Sequence, residues 1–174
     1  MSCIYDFVRE FEEYSHLDNR EIYNLKELWI SNTNLTFLPW NIFILDNLER
    51  LYCNNNNLTC LPENFGRLPN LRELDLFKNN LSELPENFGD LHHLVTLDLS
   101  FNNFTSVPEC LKNLSKLRDL RLSDNKLTTI PRFVNNFKDL QRLYVYQNHL
   151  TTIPEALAQR KDLQLYSFGN PIKF

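Results

Sequence analysis

The sequence predicts an α/β solenoid: a right-handed superhelix with a parallel β-sheet on its concave side, 3₁₀ or short helical turns on its convex side, and a capping helix at the N-terminus. Three observations lead there. A pattern of 23 residues recurs six times with no insertion between copies, and a fixed period of this length marks stacked supersecondary units. Within each copy a short run alternates apolar and polar residues, the period of a strand with one buried face. A proline closes each pattern, at Pro39, Pro62, Pro85, Pro108, Pro131 and Pro154. There it fixes φ and removes an N–H, so the strand cannot continue.

The third copy shows the unit, from Leu71 to Pro85. Leu74 and Leu76, at positions 4 and 6, face inward from the strand. Leu71, Leu81 and Leu84, at positions 1, 11 and 14, turn into the same core. One unit cannot bury that much alone. Stacked units wall each other off, and their strands pair in parallel about 4.8 Å apart. Position 9 is Asn56, Asn79, Asn102, Asn125 and Asn148. The chain turns inward there and leaves backbone groups away from water. A buried asparagine offers both donors and acceptors to them, which predicts a structural Asn ladder. Thr33 takes this place in the first copy and satisfies fewer groups, which suggests a looser first turn or a special fit to the cap. Apolar residues three and six places after each proline, Ile42 and Leu45 through Val134 and Phe137, predict the two anchors of each convex turn.

The pattern L-x-x-L-x-L-x-x-N-x-L resembles the leucine-rich repeat. The following L-P-x-x-φ-x-x-L, with φ apolar, resembles its 23-residue intracellular kind, found in Ras-pathway and cell-polarity scaffolds, plant intracellular proteins and bacterial effectors. The likeness covers Leu25 to about Asn170. It implies the solenoid fold and a binding scaffold, and it does not select a partner, since one fold hosts many functions.

Taken in order, residues 1–24 are the cap and its connection, 25–162 the six repeats, and 163–174 an irregular terminal repeat or C-terminal cap. Met1 is read as the start of the reading frame. Ile4, Phe7, Val8, Phe11 and Tyr14 have helical spacing over 4–14, with Asp6, Arg9, Glu10, Glu12 and Glu13 opposite. An open solenoid needs a cap, and an acidic polar face argues against a membrane, so this stretch reads as the cap rather than as a membrane or partner helix. His16 to Asn24 is the connection, with Ile22 packing in the place of the second convex anchor. At the other end Arg160 stands where an apolar anchor is due. Gly169-Asn170-Pro171 resembles the terminal turn of such repeats, yet Asn170 follows Asn148 by 22 residues. One residue is therefore missing near Gln164–Ser167. This coil is a self-capping end, a surface that pairs with a second copy, or the edge of a longer chain.

Net charge of −4 and a pI near 5.6 disfavour nucleic acid and anionic membranes as partners. No apolar run is long enough to span a bilayer, and the N-terminus lacks the basic and apolar regions of a secretory signal. Cys3, Cys53, Cys60 and Cys110 have neither metal spacing nor terminal clustering, so they read as reduced thiols of a cytoplasmic chain. Asn34, Asn57, Asn80, Asn103 and Asn113 form glycosylation triplets, but the repeat itself supplies four of them. The side chains of His92 and His93 should diverge on the outer side, which disfavours a metal pair. No nucleophile motif or phosphate-binding loop is present, and no cofactor is expected.

The outward strand positions form one concave face. Its candidates for a protein partner are Trp29, Tyr52, Asp75, Phe77, Asp98, Phe101, Arg121, Arg142, Tyr144 and Tyr146. Aromatics with arginine make interface anchors, although neighbouring rings on a sheet also stack and stabilise it. Asp75 and Asp98 should be strand neighbours. Two carboxylates so close raise one pKa or attract a cation, unless Arg72, Arg118 and Arg121 complete a solvated charge ladder. The leading reading is a non-enzymatic adaptor or scaffold in signalling that holds a protein partner on this face. The alternatives are a bacterial effector-type repeat protein acting on a host protein in the host cytosol, and a metal-dependent hydrolase using Asp75 and Asp98. A shallow curved sheet does not exclude water, which counts against the hydrolase.

Overall fold

The computed structural model describes residues 3–173; Met1, Ser2 and Phe174, and with them the reading of Met1 as the start of the frame, lie outside the described residues. Among the described residues seven short strands form a single open parallel sheet in sequence order: β1 Glu27–Trp29, β2 Arg50–Tyr52, β3 Glu73–Asp75, β4 Thr96–Asp98, β5 Asp119–Arg121, β6 Arg142–Tyr144 and β7 Gln164–Tyr166. The chain is thus an α/β solenoid. From β1 to β6 the register advances by one repeat, with Leu28, Leu51, Leu74, Leu97, Leu120 and Leu143 paired in line and buried.

The strands are short because the backbone turns left-handed at position 8 of every repeat. Asn32, Asn55, Lys78, Phe101, Asp124 and Gln147 have φ between 52° and 60°, and Gly169 has φ of 69°. That conformation costs a non-glycine residue about 1–2 kcal/mol, less for Asn and Asp. Gly169 is the seventh member of the column, which explains its place in the Gly-Asn-Pro turn. Lys78→Gly, at an exposed side chain, is therefore expected to raise stability by about 0.5–1 kcal/mol, the relief of strain exceeding the added chain entropy. Urea unfolding checks it, and a loss of stability would mean that the position carries no strain.

The left-handed residue delivers the next one, an asparagine, into the interior. Asn102 is typical. Its Oδ1 accepts the Leu81 N–H at 2.9 Å, and its Nδ2 donates to Leu76 O at 2.9 Å and to Leu99 O and Ser100 O at 3.2 Å. Asn56, Asn79, Asn125 and Asn148 repeat these bonds, each joining its own turn to the preceding one. Thr33 has no earlier repeat to serve. Its hydroxyl has two acceptors within reach of its one proton, Ile30 O at 2.9 Å and Asn56 Oδ1 at 3.1 Å.

On the convex side, 3₁₀ turns run over Ile42–Ile44, Phe65–Arg67, Glu86–Asp90, Glu109–Asn113 and Arg132–Asn136. Both apolar anchors of each turn are buried. The second and third turns pack closely: a Cβ on Gly66 would lie 1.7 Å from the Asn87 carbonyl oxygen, so only glycine fits.

The N-terminal cap is built from more pieces than the expected helix over 4–14. Helix α1 spans Ile4–Arg9, Phe11 is extended, and a 3₁₀ turn follows at Glu12–Tyr14. The break keeps Phe11 edge-on to Phe7, with ring centres 5.3 Å apart. Tyr14 is buried, and its hydroxyl accepts the Trp29 N–H at 2.9 Å, so the cap gives a partner to the open edge of β1. The segment read as a connection holds helix α2, Asn19–Tyr23, opened by a capping box between Asp18 and Glu21. Ile22 packs fully buried from it.

At the C-terminal end β7 pairs with β6 at a step shortened by one residue, Arg142 to Gln164. Leu163 is still buried, so the missing residue lies between Leu163 and Leu165, at the front edge of the stretch expected. Earlier repeats send two amides to one carbonyl, as Gln141 and Arg142 do to Arg118 O; here Gln164 alone reaches Gln141 O. Asn170 extends the ladder, accepting from Leu150 N–H and donating to Val145 O and Ser167 O. The helix α3, Glu155–Ala158, replaces the last convex turn. After it the Arg160 guanidinium substitutes for the apolar anchor by donating to Phe137 O at 2.9 Å and Leu140 O at 3.0 Å.

Candidate functional site on the concave sheet

Register decides which outward side chains meet. Position 5 lines up Trp29, Tyr52, Asp75, Asp98, Arg121, Tyr144 and Tyr166 across the seven strands. At the N-terminal end Trp29 stacks on Tyr52, with ring centres 3.8 Å apart. At the other end Tyr144 stacks on Tyr166 at 4.5 Å, and Tyr146 on Phe168 at 4.6 Å. Phe77 and Phe101 meet edge-on at 5.1 Å between these groups. The rings are paired yet reachable: Trp29 is 48% exposed and Phe101 45%. Each stack is worth about 0.5–1.5 kcal/mol and holds its rings in one orientation.

Charge fills the middle of the row. Asp119 is buried and binds two arginines, Arg121 Nε at 2.9 Å and Arg142 Nε at 2.6 Å. Arg121 also reaches Asp98 at 3.5 Å and lies over the Tyr144 ring at 5.4 Å. Asp98 and Asp75 are register neighbours, and each accepts the N–H two residues on, from Ser100 at 2.8 Å and Phe77 at 2.9 Å. Burial pushes both carboxyls up. Asp75 is pushed to about 6, with the Asp98 charge beside it adding to the effect and the Phe77 N–H opposing it. The solvated ladder expected of Arg72, Arg118 and Arg121 is thus only partly formed: among the described residues Arg121 alone pairs with these aspartates. Position 2 precedes the strand, and Arg118 lines a marginal hollow with Lys138 and Asp139 instead.

Phe77, Asp98, Ser100, Arg121, Tyr144 and Tyr146 bound a hollow of about 400 Å³. Of the ten side chains named from the sequence, seven stand on the strands, Phe77 and Tyr146 stand two residues after a strand, and Phe101 stands on the left-handed turn after β4. Trp29 and Tyr52 lie at one end, Arg142, Tyr144 and Tyr146 at the other, and Asp75, Phe77, Asp98, Phe101 and Arg121 between. Among the described residues no group of three or more His, Cys, Asp or Glu is placed to hold a metal ion, and no helix is long and apolar enough to cross a membrane. His93 faces Lys116 at 3.2 Å.

Sequence reasoning missed three features. Asp119 could have been found from Arg121 two places on and Arg142 one repeat on. Tyr166 and Phe168 were hidden by the one-residue slip. Phe37 and Trp40, 56% and 51% exposed, lie outside the strands, and Trp40 meets Phe43 with ring centres 6.1 Å apart. Their equivalents in later repeats include Glu83, Ser106, Glu63 and Glu86, so comparing those two columns was the available signal.

The profile of the leucine-rich repeat region matches residues 63–165, and that of the leucine rich repeat matches residues 23–81. No curated protein gives a match. Among solved structures, a Leptospira interrogans leucine-rich repeat protein superposes with a TM-score of 0.76 at 33% identity, over 90% of this chain and 47% of its own. The plant peptide hormone receptor RGFR1, solved in complex with RGF2, gives 0.68 at 33% identity over 77% of this chain and 23% of its own. The ectodomain of the Arabidopsis thaliana receptor kinase GASSHO1/SCHENGEN3, in complex with CASPARIAN STRIP INTEGRITY FACTOR 2, gives 0.72 at 30% identity over 85% of this chain and 22% of its own. The chain spans less than half the length of these three proteins.

Proposed function

Starting from a chain that belongs to the leucine-rich repeat family, we propose that it is a non-enzymatic adaptor whose concave sheet holds a protein partner. The observation that carries this is the pairing of exposed aromatic rings on both sides of a charged centre. A binding surface gains affinity when its anchors are already held in place, because less side-chain freedom is lost on association. The stacks of Trp29 on Tyr52 and of Tyr144 on Tyr166 do that, and the charges between them set register and reject wrong partners. Two similar structures were solved in complex with a partner, one of them a peptide hormone receptor, which supports a partner for this chain. The proposal includes a cytosolic setting, in keeping with four free cysteines, of which Cys53 is a buried core residue.

Trp29→Ala and Tyr144→Ala are each expected to weaken binding of an identified partner about tenfold, the size of an anchor loss. Calorimetry measures it, with circular dichroism verifying the fold. If the Trp29/Phe77/Tyr144 triple-alanine chain is folded and binds the partner unchanged, the site lies elsewhere.

A further inference from the structure

The centre of the concave face carries negative charge that the chain itself does not balance. Glu27 pairs with Arg50, and Glu49 with Lys26 at 3.1 Å. Asp119 is held by Arg121 and Arg142, and Asp98 shares Arg121 with it. Among the described residues Asp75 makes no ion pair. One of its oxygens accepts the Phe77 N–H, and the other has no hydrogen-bond partner among the described residues. The side chain is only half-buried, so this free oxygen opens to the concave surface. Its register neighbours are Tyr52 on β2 and Asp98 on β4, and Phe77 follows on the same face. A carboxylate oxygen without a cation, set among aromatic rings, is the complement of a long basic side chain. The charged end finds the carboxylates, and the stem and guanidinium plane lie against the rings.

We propose that the partner is a basic polypeptide segment that seats an arginine or lysine on Asp75 and Asp98, with its stem against Tyr52 and Phe77. This rests on the reading of the concave face as the partner surface and narrows it to a chemical class.

The test pans a displayed random peptide library against the whole chain at pH 7.5. Peptides enriched in arginine or lysine beside apolar residues are expected. A selected peptide should bind Asp75→Asn about tenfold more weakly. The same peptide with its basic residue changed to glutamine should lose a similar factor on the wild type and almost nothing further on Asp75→Asn, which ties the two groups to each other. Asp75→Asn keeps an acceptor for the Phe77 N–H, so the fold is retained. Selected peptides without basic residues, or equal binding to both chains, overturn the proposal and leave the concave reading standing if binding still needs Trp29, Phe77 and Tyr144. Peptides that bind the triple-alanine chain equally well overturn both, as does a library that yields no binder. Calcium or magnesium that binds the peptide-free chain and is lost in Asp75→Asn would make the pair a metal seat and overturn the proposal.

Discussion

Asn102→Ala is expected to cost about 3–5 kcal/mol of folding stability, a large share of the roughly 5–15 kcal/mol of a whole domain. Asn102 is buried and makes four hydrogen bonds to backbone groups of two consecutive repeats. Alanine leaves the buried Leu81 N–H without its partner and removes three further bonds of about 0.5–1.5 kcal/mol each, although Leu76 O, Leu99 O and Ser100 O keep a second donor in Asn79 Nδ2, Asn125 Nδ2 and the Lys78 N–H. Each buried group left unsatisfied costs about 1–3 kcal/mol. Asn102→Asp keeps the acceptor and should fare no better, because it loses the amide donor and sets a carboxylate against carbonyl oxygens. Thr33→Ala serves as the control. Thr33 is exposed and its hydroxyl has a single proton to give, to Ile30 O or to Asn56 Oδ1, so its loss should stay near 1 kcal/mol. Urea unfolding of the three variants settles the order, and a loss below about 1 kcal/mol for Asn102→Ala would refute the structural role given to the ladder.

The ladder also shows why some of this molecule was legible in its sequence and some was not. A requirement repeated at the same place in every unit leaves a column of identical residues. Buried leucines and inward asparagines could therefore be placed from spacing alone. The prolines form a column too, but the expectation that they end the strands is corrected. The strands stop earlier, at the left-handed turn, and Pro85, Pro108, Pro131 and Pro154 instead open the convex turns and α3. A requirement met once leaves no column. Tyr14 reads as one more apolar residue in a helical pattern, and only the fold reveals that its hydroxyl closes the edge of β1. Arg160 reads as a failed anchor, because its service to Phe137 O and Leu140 O depends on a neighbouring turn. Position 8 lay between these cases. Asn, Lys, Phe, Asp, Gln and Gly share no side-chain chemistry, so their common left-handed backbone was invisible as composition. On the concave face, spacing gave the row of outward residues but not the distribution of charge along it. That distribution turns on Asp119, which the fold buries between two arginines, drawing Arg121 partly away from Asp98 and leaving Asp75 alone.

Asp75→Asn is expected to stabilise the protein at pH 7 by roughly 2 kcal/mol. Burial, with the Asp98 charge beside it, raises the Asp75 carboxyl from 3.8 in the unfolded chain to about 6 in the fold. Between those values the folded state holds more protons than the unfolded one, so stability falls as pH rises from about 4 to 6 and stays lower above that. Two pKa units set a ceiling of about 3 kcal/mol, reduced here because the carboxyl keeps contact with solvent. The variant should therefore gain its advantage across this window and show none near pH 3.5. Thermal unfolding across the range measures it, and equal stability of the two chains at pH 7 would show that the carboxyl is not desolvated. Tyr52 from β2, Glu73 on the same strand, Asp98 from β4 and Arg121 from β5 are the titratable groups facing Asp75, and all remain in the variant. A carboxylate that lowers stability when nothing is bound serves no purpose in folding. Its cost is offset when a basic side chain from a partner arrives, since that contact favours the ionised form. Binding of such a segment should therefore weaken below pH 6, by roughly tenfold at pH 5, where the partner must first displace a proton. Asp75→Asn should bind weakly and without this dependence.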